Sequence, residues 1–358
     1  MKQKIHISAP GKIILLGEHA VVYGKPAIIS AIDKRCHIEI IPRKDQKITI
    51  SSKNYNSHIT TNIDQIEAKF NKAQKDLNIV NQTNDTNLLK SITQHPLDYA
   101  QIIIGQFLNY INPSHTILGF NLTIDSEIPI GYGCGSSSAL AVSIIGSLLF
   151  YTNNNLDKKI INEIAFLTEQ KKHGFPSGAD NTTSCYGGLI WFHKESDDFK
   201  IFSQIPASIS PNITNKLLAI FTGQPLESTG ELVSIVRNIY QKHPKSISTL
   251  FESQEKLVRE LLTVLENEDE EKIVAILKNG EKNLEELGVV SLTTKSLIRK
   301  IEKKGGAAKI CGAGGIAKGS GILLAYHQNP EVLQKLLHEQ EYDSSPITLG
   351  AEGVRIEP

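Results

Sequence analysis

Pro129-Ile130-Gly131-Tyr132-Gly133-Cys134-Gly135-Ser136-Ser137-Ser138 runs directly into the alanine-rich, apolar stretch Ala139 to Phe150. A strand-like run, Phe120 to Ile124, precedes it, so the glycines fall at the N-terminus of a predicted helix. Unpaired N–H groups and the positive end of the macrodipole favour an anion there. Gly131, Gly133 and Gly135 leave the backbone bare, where a side chain would hold phosphate oxygens away from those N–H groups. Of Ser136, Ser137 and Ser138, one or two hydroxyls can cap the helix and another can reach a metal ion. Taken alone, a Gly/Ser turn capping a core helix explains the segment equally well. It is not a Walker loop, because no Gly-x-x-x-x-Gly-Lys-Ser/Thr occurs in the chain. On spacing alone, Gly133, Gly135 and Ser138 fit a Rossmann-type G-x-G-x-x-S, with Asp157 about twenty residues on. Entry through Pro129, and the lack of repeating strand and helix units before it, count against that reading.

At 358 residues the chain exceeds what one hydrophobic core normally supports, so two domains are expected. Lys plus Arg equals Asp plus Glu at 38 each, so no global basic field points to nucleic acid, and local positive charge must steer any phosphate. Cys36, Cys134, Cys185 and Cys311 are scattered, without a C-x-x-C pair or a histidine at zinc spacing, and read as reduced thiols. Met1 to His6 lack the apolar stretch of a signal peptide, and no run reaches the length of a membrane span. A cytoplasmic chain acting on small molecules, with neither nucleic acid nor membrane as partner, is the expectation.

Lys4 to Ser8, Ile13 to Leu16, Ala27 to Ile32 and His37 to Ile41 read as short strands separated by turns. Ser51 to His95 is rich in Asn, Lys, Gln, Thr and Asp, and reads as a peripheral, solvated insertion with one amphipathic helix around Ile63 to Leu77. Pro96 to Asn112 and Leu156 to Lys172 are helical by periodicity, Gly188 to His193 is a strand, and the polar run Lys194 to Lys200 marks a linker. Beyond it, a strand (Lys216 to Thr222), four helices (Ser228 to Tyr240, Ser246 to Leu265, Lys272 to Leu287, Thr293 to Lys304) and two strands (Ala308 to Cys311, Gly321 to Tyr326) suggest an α+β unit with helices on one face of a small sheet. The expected domains are 1–198 and 199–358.

His173-Gly174-Phe175-Pro176-Ser177-Gly178-Ala179-Asp180-Asn181 carries the chemistry. Pro176 and Gly178 predict a tight turn that presents Asp180 in a fixed direction and not from a helix, where a carboxylate can orient or deprotonate a hydroxyl nucleophile. An Asx cap starting a helix is the plainer alternative. Glu169, near the end of the preceding helix, shifts the balance: with a serine hydroxyl from the glycine turn it supplies the oxygen ligands that magnesium takes beside phosphate. On the residues alone, Lys12 also reads as an exposed strand residue, Glu18 and His19 as turn residues, and His19 as a neutral core histidine.

Ala9-Pro10-Gly11-Lys12, Gly17-Glu18-His19 and Tyr23-Gly24 together resemble the first motif of the GHMP kinases, the superfamily acting on galactose, homoserine, mevalonate and phosphomevalonate. The serine turn resembles their second motif, and Lys309-Ile310-Cys311-Gly312-Ala313-Gly314-Gly315 their third. His173 to Asn181, with Ser184 and Tyr186-Gly187-Gly188, is similar to the stretch found in the mevalonate-phosphorylating branch. The resemblance runs from Ala9 to Tyr326 in the family's order and omits the 51–95 insertion. It implies a two-domain α+β fold: an N-terminal α/β domain like domain 2 of ribosomal protein S5, and a C-terminal ferredoxin-like domain. The implied activity is ATP- and Mg2+-dependent phosphorylation of the primary hydroxyl of (R)-mevalonate for isoprenoid precursor synthesis, and the resemblance suggests a homodimer. Position by position, it implies Asp180 as catalytic carboxylate and Lys12 as the cation steadying the substrate oxygen. It further implies Gly131, Gly133, Gly135, Ser136, Ser137 and Ser138 as the nucleotide cradle, Ser137 and Glu169 as magnesium ligands, and Glu18, His19, Thr229, Gly312 and Ala313 at the substrate.

The chain departs from the family where Cys134 replaces a usual leucine, where Ile316-Ala317-Lys318 interrupts a glycine run, and where Gln224 to Thr229 lacks an arginine. A GHMP kinase for another alcohol, or a catalytically silent sensor on the same scaffold, stays open. Retention of Lys12, Ser137, Glu169 and Asp180 together argues against the sensor, which needs neither metal ligand nor base.

Overall fold

The computed structural model describes residues 4–83, 85, 87–90, 92–111, 119–196, 199–206 and 209–358. The expected features at residues 1–3, 84, 86, 91, 112 and 197–198 lie outside them.

The first two strands are longer than expected. β1 (Ile5–Leu16) and β2 (Ala27–Pro42) each run unbroken where two short strands separated by turns are expected, and pair antiparallel from Ile5↔Ile40 to Leu16↔Ile28. Pro10 does not end β1, because a register shift between Pro10 and Lys12 absorbs the interruption as a bulge. β3 (Ile48–Ser52) and β4 (Ser57–Thr61) follow, then α1 (Ile63–Thr83), α2 (Asn87–Lys90), α3 (Asp98–Ile111) and β5 (Phe120–Ser126). β3 pairs parallel to β5 and β4 forms the edge of the main sheet, so the start of the polar segment joins that sheet, and its expected amphipathic helix is α1. Ile66, Phe70, Ala73, Leu77 and Val80 give α1 a buried face at helical spacing.

α4 (Ser136–Asn153) is buried nearly all round, as a helix through the middle of a domain must be. α5 (Lys158–His173), α6 (Ala179–Tyr186) and β6 (Leu189–Lys194) follow. β6 pairs antiparallel with β7 (Lys200–Ile205), Lys194 opposite Lys200, so both ends of the expected linker at 194–200 belong to the first sheet. β2 pairs β6 through Ala27–Ser30 and β5 through Cys36–Pro42.

The second sheet, antiparallel throughout, has the order β11-β8-β10-β9. Its elements are α7 (Pro211–Thr214), β8 (Leu217–Phe221), α8 (Thr229–Lys242), α9 (Pro244–Asn267), α10 (Glu270–Glu286), α11 (Leu292–Lys303), β9 (Ala307–Ile310), β10 (Ile322–Tyr326), α12 (Pro330–Glu339) and β11 (Ser344–Pro346). β12 (Arg355–Ile356) then returns to the first sheet beside β1. Leu16 and Ile28 of the first sheet share one core with Leu217, Leu261, Leu277 and Leu324, and this contact aligns the loops of both halves.

Candidate active site

Gly11 and Gly135 let two backbones meet. A Cβ on Gly11 would lie 2.8 Å from the Cys134 carbonyl, and one on Gly135 would lie 2.8 Å from Lys12 Cγ. Lys12 N–H donates to Cys134 O at 2.9 Å, which ties the glycine turn to β1. Lys12 is therefore buried and not an exposed strand residue: its side chain is 7 % exposed, against 39 % for Asp180, whose Oδ2 lies 3.2 Å from its Nζ. A fixed, desolvated cation thus faces a carboxylate that stays accessible from the cleft.

Asp180 stands in the first turn of α6, a correction to the turn expected to present it outside a helix. Gly178, left-handed at φ 87°, is the N-cap, and Ser177 Oγ accepts from Ala179 N–H at 3.2 Å, so Asp180 is not the cap either. Its negative charge near the positive end of α6 is favourable.

Gly131, Gly133 and Gly135 have φ of 85°, 82° and 71°, the left-handed region that favours glycine. Gly135 is the N-cap of α4 and no side chain caps that end, so first-turn N–H groups remain for an anion. A Cβ on Gly133 would meet only Cys311 O, at 3.6 Å, and one on Gly312 nothing within 4 Å. The second and third glycine segments therefore come close at Gly133 and Cys311, while Gly312 borders open space.

Glu169 is held from three sides in a site it enters from α5. Tyr99 Oη donates to its Oε1 at 2.5 Å, and Ser138 Oγ and Ser137 Oγ donate to its Oε2 at 2.7 and 3.3 Å. His173 Nε2 lies 3.3 Å from Ser137 Oγ, and Lys172 Nζ lies 4.4 Å from the centre of the Tyr99 ring. Burial, and then the neighbouring Glu169 charge, push the Tyr99 phenol well above its ordinary value, so it is a permanent donor. Tyr99→Phe strands Glu169 Oε1 in a dry site and is expected to lower the unfolding free energy by about 1.5–3 kcal/mol, read by urea denaturation.

Glu18 is buried against the equally buried Lys309 ammonium of β9. Burial pushes its carboxyl up, opposed by Lys309. His19 is buried too and held at φ 56°, and burial lowers its imidazole pKa. The neutral ring donates Nε2–H to Ala313 O at 2.9 Å, which joins the first and third motifs. Thr229 is exposed at the first position of α8, behind a capping box of Ser228 and Glu231. Gln224 Nε2 donates to Ile130 O at 2.7 Å, and Glu227 accepts from the N–H groups of Ile316 and Ala317, so the segment lacking the expected arginine braces both glycine loops.

Tyr99, Lys309 as an ion-pair partner, and Glu281 escape the sequence reading. Two of them leave a trace: Lys309 is a charge between Ala308 and Ile310, and Glu281 shares a helical face with Leu277 and Leu284. A charge on an apolar face demands a buried partner. Tyr99 leaves no such signal.

Residues 98–188 match the family described as GHMP kinases N terminal domain. Together with the paired glycine loops and the two sheets, this makes the chain a GHMP kinase. The mevalonate kinase of Pyrococcus furiosus is 31% identical over 319 residues, covering 87% of each chain. That of Thermococcus sibiricus is 30% identical over 369 residues, covering 99% of this chain and 98% of its own. The crystal structure of the Methanococcus jannaschii mevalonate kinase superposes with a TM-score of 0.77 at 24% identity, over 97% of this chain and 98% of that one. Within its class, the chain belongs to the mevalonate kinase family, whose members are ATP-using phosphotransferases.

Proposed function

We propose that the chain transfers the γ-phosphoryl group of ATP to the primary hydroxyl of (R)-mevalonate, giving 5-phosphomevalonate, with Asp180 and Lys12 as the pair that handles the hydroxyl. The observation carrying this is the 3.2 Å approach of a buried Lys12 to a cleft-facing Asp180, beside an uncapped helix N-terminus. Phosphoryl transfer asks mainly for an in-line hydroxyl and neutralised phosphate oxygens. Lys12 attracts the hydroxyl oxygen while Asp180 accepts its hydrogen bond and, late in the reaction, its proton. Because the transition state is loose, holding the oxygen in line contributes more than base strength. Gly131, Gly133, Gly135 and the first turn of α4 would hold the phosphates, and Gly312 and Ala313 would close the cleft from the other domain.

The oxygen-only donor set of Ser137 and Glu169 suits magnesium. When bound, the ion would neutralise phosphate charge. Glu169→Gln is expected to raise the magnesium concentration needed for half-maximal activity by about tenfold, and an unchanged magnesium dependence would remove Glu169 from this role.

The four cysteines are buried and unpaired, which accords with a reducing, cytoplasmic setting. Among the described residues no helix is long and apolar enough to cross a membrane. The position of the new ester is tested by 31P NMR of the product: coupling to the two hydrogens of the terminal CH2 supports the assignment, and an ester on the tertiary hydroxyl overturns it.

A further inference from the structure

Under the third glycine loop, where the two sheets meet, lies a cluster of charges that phosphoryl transfer does not use. The Lys309 ammonium contacts Glu18 Oε1 and donates to Ile310 O at 2.5 Å. Glu281 of α10 accepts from Ile310 N–H at 2.9 Å through Oε2. Glu18, Glu281 and Lys309 are all buried, and Glu18 Oε2 and Glu281 Oε1 have no hydrogen-bond partner. Two buried carboxylates thus lie near one ammonium, which pairs with Glu18 alone. With both ionised, one negative charge stays uncompensated in a dry interior, a state proteins avoid by binding a proton.

We propose that Glu281 is a positioning residue of the phosphoryl-transfer site: it carries a proton, leaves Lys309 to Glu18 alone, and so keeps the loop after β9 seated on the end of β1. The geometry shows why this loop is the one affected. Ile310, whose N–H Glu281 holds, leads into Cys311–Gly315, and Glu18 precedes His19, which holds Ala313 O at 2.9 Å. α10 packs directly against this cluster, since a Cβ on Gly280 would lie 2.7 Å from Leu16 Cδ2 and 3.3 Å from Lys309 Cδ. The proton belongs on Glu281 and not Glu18, because Glu18 has the ammonium and Glu281 only one backbone N–H.

The groups facing the cluster are Lys12 and Glu18 from β1 and its end, Lys309 and Cys311 from β9 and its end, and Glu285 from α10 itself. Burial, against the opposing Ile310 N–H and Lys309, pushes Glu281 up to about 8, while burial pushes the Cys311 thiol up to about 12. A carboxyl with a raised folded-state pKa contributes fully below its unfolded value and loses that contribution as pH rises through the folded one. Loosening of the loop is therefore expected on the alkaline side, centred at about 8.

The test is the pH profile of kcat/KM for wild type and Glu281→Gln, whose carboxamide oxygen still accepts from Ile310 N–H. Wild type is expected to fall about tenfold between pH 7 and pH 9, as one ionisation there produces, and the variant less than about twofold. Infrared spectroscopy of the wild-type protein provides a second arm that needs neither the variant nor the kinase reading. A protonated carboxyl band present at pH 7 and lost by pH 9 supports the proposal. Absence of the band at pH 7, or an alkaline fall that persists in Glu281→Gln, overturns it. Loss of all activity toward mevalonate with the band intact overturns the kinase reading instead.

Discussion

Asp180→Asn is expected to lower turnover by about 10²–10⁴-fold, the range that removal of a positioned proton acceptor costs, while ADP binding stays within about threefold of wild type. The two effects separate because different elements carry them. Asp180 sits on α6, where its carboxylate meets Lys12, whereas the glycine cradle and its uncapped N–H groups belong to the turn before α4. An amide keeps the shape and one acceptor oxygen but takes no proton and no longer attracts Lys12. Steady-state kinetics paired with ADP titration calorimetry separates the two effects. Turnover near that of wild type would remove Asp180 from the chemistry, and lost nucleotide affinity would make its role structural.

Gly135→Ala is expected to lower kcat/KM by about 100-fold through a residue that touches neither reacting oxygen. At φ 71° an alanine is strained by roughly 1–2 kcal/mol, and its methyl would lie 2.8 Å from Lys12 Cγ. Lys12 is buried and cannot swing clear, so its ammonium moves away from Asp180, and a misplacement of about 1 Å costs on the order of 10²-fold. Gly133→Ala is the contrast, because its φ of 82° brings similar strain but its Cβ would meet only Cys311 O, at 3.6 Å. That variant is expected to raise KM for ATP with a smaller effect on kcat. Equal kcat values for both variants would show that Lys12 placement is not what Gly135 protects.

The residues legible in the sequence are those whose chemistry is local. Glycines at positive φ, a serine run opening an apolar helix, and Glu169 one helix away from Asp180 all announce themselves within short windows. Lys12 becomes a candidate only through the order of the three motifs. What stays hidden depends on partners far along the chain. Tyr99 meets Glu169 and Arg355–Ile356 pairs with β1 with nothing near either to mark the pairing, while Lys309 signals a buried partner but not that the partner is Glu18. Polar composition misleads twice for one reason. β7 and the edge strand β4 are half-exposed strands whose polar positions make them read as loops. Pro10 misleads in the opposite sense, since a bulge lets a strand pass through it.

In the proposed reaction Lys12 and Asp180, beside the open end of α4, deliver mevalonate's primary hydroxyl to the γ-phosphate of ATP. A coupled ADP-release assay run in parallel with mevalonate, phosphomevalonate, homoserine and galactose tests it most directly. ADP released with mevalonate in equal molar amount, and at least about a hundredfold less kcat/KM with each of the other three, is the expected result. Faster turnover of any of the other three, or no ADP with mevalonate from a protein that binds ATP, would contradict it.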